Sequence, residues 1–208
     1  NGTNNSAVGM NFTGDYNEIG VEQLGTDNTV NLGAVVGNSN DIGVRQLDGG
    51  NTANIDLTGG SDSNAIRVVQ DAAIAATNSN SVDIDVNGDG NLLNASQTGD
   101  NGMTVNVTGN YNNNTGGNFT GAADVVAGTS LNPGDLFQTG TNTALLTVGG
   151  GGASSNNLFA FNQNGAGNDI TGTVDGAGGN QVAVAQTGNL NTADFSQNGS
   201  ANNLGVSQ

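Results

Sequence analysis

Apolar and polar residues alternate along this chain in segments that are seven residues long. Positions are counted here from the first residue of each segment. In the segment from residue 40 to residue 46, the odd positions (first, third, fifth and seventh) hold Asn40, Ile42, Val44 and Gln46, and the even positions hold polar residues or glycine. A period of two predicts a β-strand with one buried face, because successive side chains of a strand point to opposite faces. An α-helix would require a period of 3.6 residues.

Two types of segment follow one another. First-type segments begin with Asn and end with Gln, at residues 17–23, 40–46, 64–70, 91–97, 132–138, 157–163, 180–186, 191–197 and 202–208. Second-type segments begin with Asn and end with an apolar residue, at residues 28–34, 51–57, 80–86, 101–107, 142–148 and 168–174. A repeat of about 22–27 residues predicts a solenoid, in which each repeat buries its apolar face against its neighbours.

The amides at the segment ends are expected to form ladders. Stacking successive turns at about 4.8 Å places like side chains on like, and neighbours in the stack satisfy each buried amide. The predicted ladder residues are Asn17, Gln23, Asn28, Asn40, Gln46, Asn51, Asn64, Gln70, Asn91, Gln97, Asn132, Gln138, Asn157, Gln163, Asn168, Asn180, Gln186, Asn191, Gln197, Asn202 and Gln208.

Short connectors join the segments and contain the residues that tight turns need. Glycine accepts a positive φ without steric cost. The predicted turn glycines are Gly25, Gly99, Gly140, Gly165, Gly188 and Gly199. A four-residue connector fits a hairpin or a β-arch, and the ladder register favours the arch.

The pattern therefore predicts an all-β fold, a two-sheet parallel β-solenoid of about seven or eight turns with cross-β stacking. Residues 1–16 form an N-terminal segment with a lone first strand, and residues 17–208 form the repeats. Insertions interrupt the register at residues 71–79, 108–131 and 149–156. The middle insertion leaves two alternatives open, a degenerate turn or a loop that protrudes from one edge.

Charge supports this assignment of faces and limits the possible partners. None of the 18 acidic residues and neither arginine lies at an odd position of a segment. The net charge of −16 repels phosphate, so we expect no nucleic-acid partner, and no apolar run is long enough for a membrane helix. The sequence begins at Asn1 without an apolar leader, from which we expect a mature, processed form.

Candidate chemistry for catalysis or metal binding is sparse. The chain has no His and no Cys, so neither a zinc site nor a catalytic triad is expected. Asp27, Asp48, Asp89 and Asp100 lie in glycine-rich turns but lack the nonapeptide repeat of a calcium β-roll. We expect a protein that is not an enzyme and that needs no cofactor.

The turn Gln-x-Gly-x-x-Asn resembles the repeat of curlins, the bacterial subunits of extracellular curli fibres. It occurs in full from Gln23, Gln163, Gln186 and Gln197, and the similarity extends from about Asn17 to the end of the chain. Curlin repeats usually end the second strand with Gln as well, whereas apolar residues stand there in all second-type segments.

The resemblance implies a secreted protein of the bacterial cell surface or biofilm matrix that assembles into a functional amyloid fibre and serves adhesion and surface colonisation. It also implies a nucleating minor subunit and an outer-membrane export channel as partners. The alternative is a monomeric β-solenoid binding domain, either ice-binding or a carbohydrate adhesin.

Both ends of the chain support assembly. The last segment is a first-type strand without a second-type partner, and residues 5–11 form a lone second-type strand with Asn5, Ala7, Gly9 and Asn11 inward. We expect these two strands to complete one turn shared by two subunits. The predicted stacking residues are Asn5, Asn11, Asn202, Leu204, Val206 and Gln208.

Overall fold

The computed structural model describes residues 2–72, 79–114, 117–128, 130–152 and 154–208. They contain one helix, α1 (Gly121–Ala127), and many short strands. The strands are β1 (Ser6–Val8), β2 (Asn11–Thr13), β3 (Glu18–Gln23), β4 (Thr29–Val36), β5 (Asp41–Leu47), β6 (Thr52–Thr58), β7 (Ala65–Asp71), β8 (Ser81–Asn87), β9 (Leu92–Gly99), β10 (Gly102–Thr108), β11 (Asp135–Val148), β12 (Leu158–Gly178), β13 (Gln181–Thr187), β14 (Thr192–Ser200) and β15 (Asn203–Ser207).

The strands form two parallel stacks. The first-type stack consists of β3, β5, β7, β9, the first halves of β11 and β12, β13 and β15, in that order. The second-type stack consists of β1, β4, β6, β8, β10, the second halves of β11 and β12, and β14. Because β11 and β12 each run through both stacks, hydrogen bonds connect all the strands. The predicted parallel β-solenoid is confirmed, with about eight turns.

The core lies between the two stacks and consists of the odd-position side chains. One row passes through Ile55, Ile84, Val105 and Leu146, all of them buried. Burying one such side chain contributes roughly 1.5–3 kcal/mol, and each layer obtains that burial from the facing stack and from the layers above and below it.

A bulge changes the inward residue at the end of β4. The register predicts Ala34 at the seventh position, but Val35 pairs with Leu57 and is fully buried instead. The extra residue leaves the amide of Ala34 without a strand partner, and Oδ1 of Asp56 accepts its hydrogen bond at 2.8 Å. The carboxylate of Asp56 therefore stabilises a bulge that alternation alone does not reveal.

The middle insertion is shorter than the predicted range 108–131 and is neither a turn nor an edge loop. The chain continues in register as far as Asn113 and returns to it at Gly134, whose carbonyl accepts a hydrogen bond from Asn94 N at 2.9 Å. The excursion from residue 114 to residue 133 places α1 on the outer face of the first-type stack. It forms a second apolar cluster of Phe119, Ala123, Ala127 and Leu131 with Leu158, Ala160 and Ala183.

The other two insertions lie in the connectors between strands. Most of the insertion predicted at residues 71–79 lies outside the described residues, although Ala72 is buried and its amide donates to Leu47 O. In the insertion at residues 149–156, Ser154 is buried and returns the chain to the register through its bond to Asn157.

Candidate functional site: amide ladders and the two ends of the solenoid

A ladder of glutamines extends through every layer of the first-type stack. In each layer Nε2 donates to Oε1 of the next glutamine, as from Gln46 to Gln70 at 2.9 Å. The same Nε2 also donates across the core to a main-chain carbonyl of the second-type stack, as from Gln46 to Thr29 O at 2.9 Å. The rungs, in order, are Gln23, Gln46, Gln70, Gln97, Gln138, Gln163, Gln186 and Gln208.

Two asparagine ladders extend along the opposite ends of the strands. In the first, each asparagine opens a second-type strand, and its rungs are Asn5, Asn28, Asn51, Asn80, Asn101, Asn142, Asn168 and Asn191. In the second, each asparagine opens a first-type strand, and its rungs are Asn17, Asn40, Asn64, Asn91, Asn112, Asn157, Asn180 and Asn202. The buried amides are thus satisfied along the stack.

Asn132 is wrong as a predicted ladder residue. Asn112 occupies that rung, bonding to Asn91 Oδ1 at 2.9 Å, whereas Asn132 bonds to the carboxylate of Asp135. Both asparagines lie next to the excursion in the sequence. Asn132 was predicted because it precedes Gln138 by six residues, which is the spacing of the other first-type segments. The usual spacing of six residues from Asn to Gln holds between Asn112 and Gln138 once the 20 residues between Asn113 and Gly134 are left out.

The side chain of Asn113 replaces a peptide group where the excursion interrupts the strand. Its Nδ2 donates to Leu92 O at 3.1 Å, and its Oδ1 accepts from Phe159 N at 2.7 Å. These two groups belong to the layers on either side, so the amide links β9 to β12 across the gap. The sequence does not single out Asn113, because it is the middle one of three successive asparagines.

The predicted turn glycines all have positive φ values in the structure. Gly165, for example, has a φ of 134°, and a Cβ there would lie 1.8 Å from Gly188 O in the next layer. The arches therefore stack with their backbones in close contact. A side chain at Gly25, Gly99, Gly140 or Gly165 would separate the layers, because a Cβ there would overlap with a main-chain oxygen of the next layer.

The outermost layers leave the core partly exposed at both ends. At the N-terminal end these layers are β1 and β3, where Ile19 and Val21 are only partly buried against the core. At the C-terminal end they are β14 and β15, where Phe195, Leu204 and Val206 are partly buried. The prediction that Asn11 faces inward is wrong: Phe12 pairs with Val35 and occupies the inward row, with 43% of its surface exposed.

The ladder ends are chemically complementary. In an interior rung such as Asn51, Nδ2 donates twice, to the neighbouring rung and to a carbonyl. Among the described residues, Nδ2 of Asn5 donates once, to Gly25 O, and Oδ1 of Asn191 accepts no hydrogen bond. The C-terminal end thus presents an asparagine acceptor and the N-terminal end a donor.

The second asparagine ladder ends in a similar way. Asn17 Nδ2 donates to Gly37 O, and within the described chain no donor reaches Oδ1 of Asn202. In the glutamine ladder, Gln208 Nε2 donates to Thr192 O, and the described chain has no rung beyond it. A second copy in register would bring Asn17 onto Asn202 and Gln23 onto Gln208.

Gln197 is wrong as a predicted ladder residue, because residues 191–197, predicted as a first-type segment, lie in the second-type stack, with residues 192–197 in β14. It occupies the inward row of the second-type stack, next to Val174, and its Nε2 donates to Gln181 O at 3.1 Å. Its Oε1 is buried and has no hydrogen-bond partner in the described structure. The seventh position of the second-type stack holds apolar residues elsewhere, so no amide is present below Gln197 to pair with it.

The outer face of the second-type stack holds an acidic cluster. Asp56 and Asp85 are paired neighbours in β6 and β8, and Asp83 lies two residues before Asp85. Burial, followed by repulsion from Asp83 and Asp56, raises the pKa of Asp85 above its ordinary value. Of the described residues, no group of three or more His, Cys, Asp or Glu side chains has the geometry to hold a metal ion.

The outward threonine column that would favour ice binding is interrupted. In register, the second position of the second-type stack holds Ser6, Thr29, Thr52, Ser81, Gly102, Thr143, Asp169 and Thr192. A flat face built from one repeated hydroxyl is therefore not present in this column.

Comparisons of the chain with protein-family models, curated proteins and solved structures gave no match. No helix in the described part of the chain is long and apolar enough to cross a membrane.

Proposed function

We propose that this chain is the structural subunit of an extracellular amyloid-type fibre and assembles head to tail by strand stacking. The observation that carries the proposal is the complementarity of the two open ends. A strand edge without a cap presents unpaired amide and carbonyl groups to another chain. Here the edge also carries half-buried core residues and matching ladder ends.

The order of strands supports a continuous fibre. Each stack has the same number of layers, beginning with β1 in one and β3 in the other and ending with β14 and β15. Adding a second copy after β15 places its β1 on β14 and its β3 on β15. The alternation of first-type and second-type strands then continues through the junction without a gap.

The resemblance to curlins extends the proposal to the biological setting. In that setting the protein is secreted to the bacterial surface or biofilm matrix through an outer-membrane channel. A minor subunit nucleates its growth, and the fibre serves adhesion and surface colonisation. The copy-to-copy contact itself needs no partner other than the chain.

The test is electron microscopy of the purified protein together with thioflavin fluorescence. We expect unbranched filaments and a rise in fluorescence. Deleting residues 202–208 should prevent growth, because the first-type stack would then be one layer shorter than the second-type stack. Discrete particles from the intact chain, or normal filaments from the truncated chain, would contradict the proposal.

A pair of substitutions on β15 provides a matched control. Val206 faces inward and is partly buried, whereas Ser207 faces outward and is exposed. Val206→Asp should stop filament growth, because a second copy would bury the new charge, and Ser207→Asp should leave filaments intact. Circular dichroism of both variants before assembly checks that each chain has folded.

A further inference from the structure

One column on the outer face of the first-type stack is occupied by glycine only near the two ends of the molecule. The column consists of the residue at the fourth position of each first-type segment. In order it holds Gly20, Gly43, Arg67, Asn94, Asp135, Ala160, Ala183 and Gly205. In a head-to-tail fibre, Gly205 of one copy would be followed directly by Gly20 and Gly43 of the next.

At the C-terminal end of this column, the single chain itself requires glycine, because α1 lies on Gly205. A Cβ on Gly205 would be 2.1 Å from Ala122 O and 2.8 Å from Cγ2 of Val126. Asn203 in the same strand also holds the start of the helix, accepting from Ala123 N at 2.7 Å. The helix is thus fixed over β15, the last strand of the stack.

The helix covers the outer face of the stack as far as the edge of β15. An α-helix with its side chains is about 10–12 Å across, the width of two strands that are about 4.8 Å apart, and α1 packs on β13 as well as on β15. The side of α1 that carries Ala122 and Val126 therefore lies at the edge of β15, beside the position of the next strand. On this helix Ala122 is exposed, and Val125 is 82% exposed.

At the N-terminal end of the column, no contact within the described chain requires glycine. A Cβ on Gly20 or Gly43 would meet no atom within 4 Å, so the single molecule has room for a side chain there. Both are part of a shallow concavity on the outer face, whose lining includes Val69, Arg45 and Arg67. In a head-to-tail fibre this concavity would lie directly beside the helix of the preceding copy.

We propose that α1 is a splint across the subunit junction: its exposed apolar side packs into the Gly20–Gly43 concavity of the next copy. The proposal depends on head-to-tail assembly as proposed above and adds a second contact, outside the core, to each junction. The occupant is a second copy of this chain, because only stacking in register brings α1, which lies on Gly205, next to Gly20 of another copy. The excursion of residues 114–133 thereby gains a role that the solenoid alone does not need.

The test uses cysteine cross-linking, since the chain has no cysteine of its own. Ala122→Cys protein and Gly20→Cys protein are mixed, assembled and treated with a short bismaleimide. We expect a covalent dimer from the mixture. Either variant alone should give none, because equivalent residues of adjacent copies would be eight layers, or about 38 Å, apart.

A control pair uses the opposite face of the solenoid. Gly102 is an outward glycine of β10 in the second-type stack. Gly102→Cys mixed with Ala122→Cys should give no dimer. Filaments that form without the Ala122–Gly20 cross-link would overturn the splint and leave the fibre proposal standing, whereas failure of the unmodified chain to form filaments would remove both.

A steric variant tests the same contact through the growth rate. Gly43→Gln would fill the concavity, and we expect elongation from seeds to slow by about tenfold. Gly102→Gln is the matched control and should change the rate by less than about twofold. Equal rates for the two variants would contradict the splint even if filaments form.

Discussion

At the scale of single residues, the buried amides and the glycines of the arches hold neighbouring layers together. Each interior ladder glutamine bonds to rungs on both sides and to the facing stack, so its loss leaves several polar groups without partners. Each arch glycine allows two backbones to approach closely. These two roles give two predictions on the stability of the folded monomer.

Gln97→Leu should destabilise the fold strongly. The substitution removes the acceptor of one of the two hydrogen bonds of Gln70 Nε2 and the donor to Oε1 of Gln138. Each buried polar group that loses its partner costs about 1–3 kcal/mol, so we expect a loss of roughly 2 kcal/mol or more in the free energy of unfolding. Urea denaturation measures it, with Ser96→Ala on the outer face of the same strand as a control that should be near neutral.

Gly165→Ala should also destabilise the fold. The residue has a φ of 134°, and the new Cβ would overlap with Gly188 O of the next layer. We expect a loss of about 1 kcal/mol or more from backbone strain and displaced layers. Gly102→Ala is the control, because a Cβ there makes only an ordinary contact, 3.8 Å from Thr143 Cγ2. Equal melting temperatures for the two variants would contradict the role of the arch.

At the scale of the elements, strands that stack in parallel place identical positions directly beside one another, so outward charges form columns. The column through β6 and β8 brings Asp56 next to Asp85, while Asp56 also bonds to the bulge in β4. A sheet that is stable through its core therefore carries local repulsion on its outer face. The result is a dependence of stability on pH.

Asp85→Asn should stabilise the protein at neutral pH. Burial first, and then Asp83 and Asp56, raise the pKa of Asp85 in the folded state above its ordinary value of 3.8. The folded state therefore retains the proton to higher pH, and the free energy of unfolding falls as pH rises from 3.8 through the folded-state pKa. The variant should lose this fall, and the two proteins should converge below pH 3.8.

Urea denaturation at several pH values checks this prediction. Asp194→Asn, on the same face but in the last layer, is a suitable control, because it lies outside the acidic cluster. A variant as stable as the unmodified protein at neutral pH would contradict the argument. The assay should use freshly prepared monomer, because assembly would stabilise the folded state independently of pH.

At the scale of the whole molecule, the solenoid has two chemically different and complementary ends and a net charge of −16. Complementary ends favour addition of another copy, and the shared negative charge opposes its approach. The excursion adds a helix that lies over the last layer. The balance of these effects decides how rapidly copies join.

Assembly should accelerate with added salt and with acidification. Salt screens the repulsion between copies, since the Debye length falls from about 30 Å at 0.01 M to about 10 Å at 0.1 M ionic strength. Protonation of carboxylates lowers the net charge directly. Thioflavin fluorescence against time measures the rate, and a rate that does not change with either condition would contradict charge control. The sodium salts of chloride and sulfate at equal ionic strength separate screening from specific ion effects.

Two stacks, their inward rows and nearly all of the ladder rungs could be predicted from the sequence alone, although residues 191–197 were assigned to the wrong stack. Their pattern has a period of two within strands and one repeat between them, and both periods are local and periodic properties. For this reason the rungs of the glutamine ladder, from Gln23 to Gln208, could be assigned to their layers, and the glycines of the arches could be assigned to their turns.

The features that break the period depend on contacts between residues that are distant in the sequence. The bulge that brings Val35 inward is held by the hydrogen bond that the amide of Ala34 donates to Asp56 in the next layer, so alternation within the strand could not reveal it. Asn112, and not Asn132, forms the rung because the chain leaves the solenoid after Asn113, whose amide bonds to both neighbouring layers. The position of α1 over Gly205 was decided by apolar side chains such as Leu158 and Ala160 at even positions. Their partner is distant in the sequence, and only the folded chain brings it onto them.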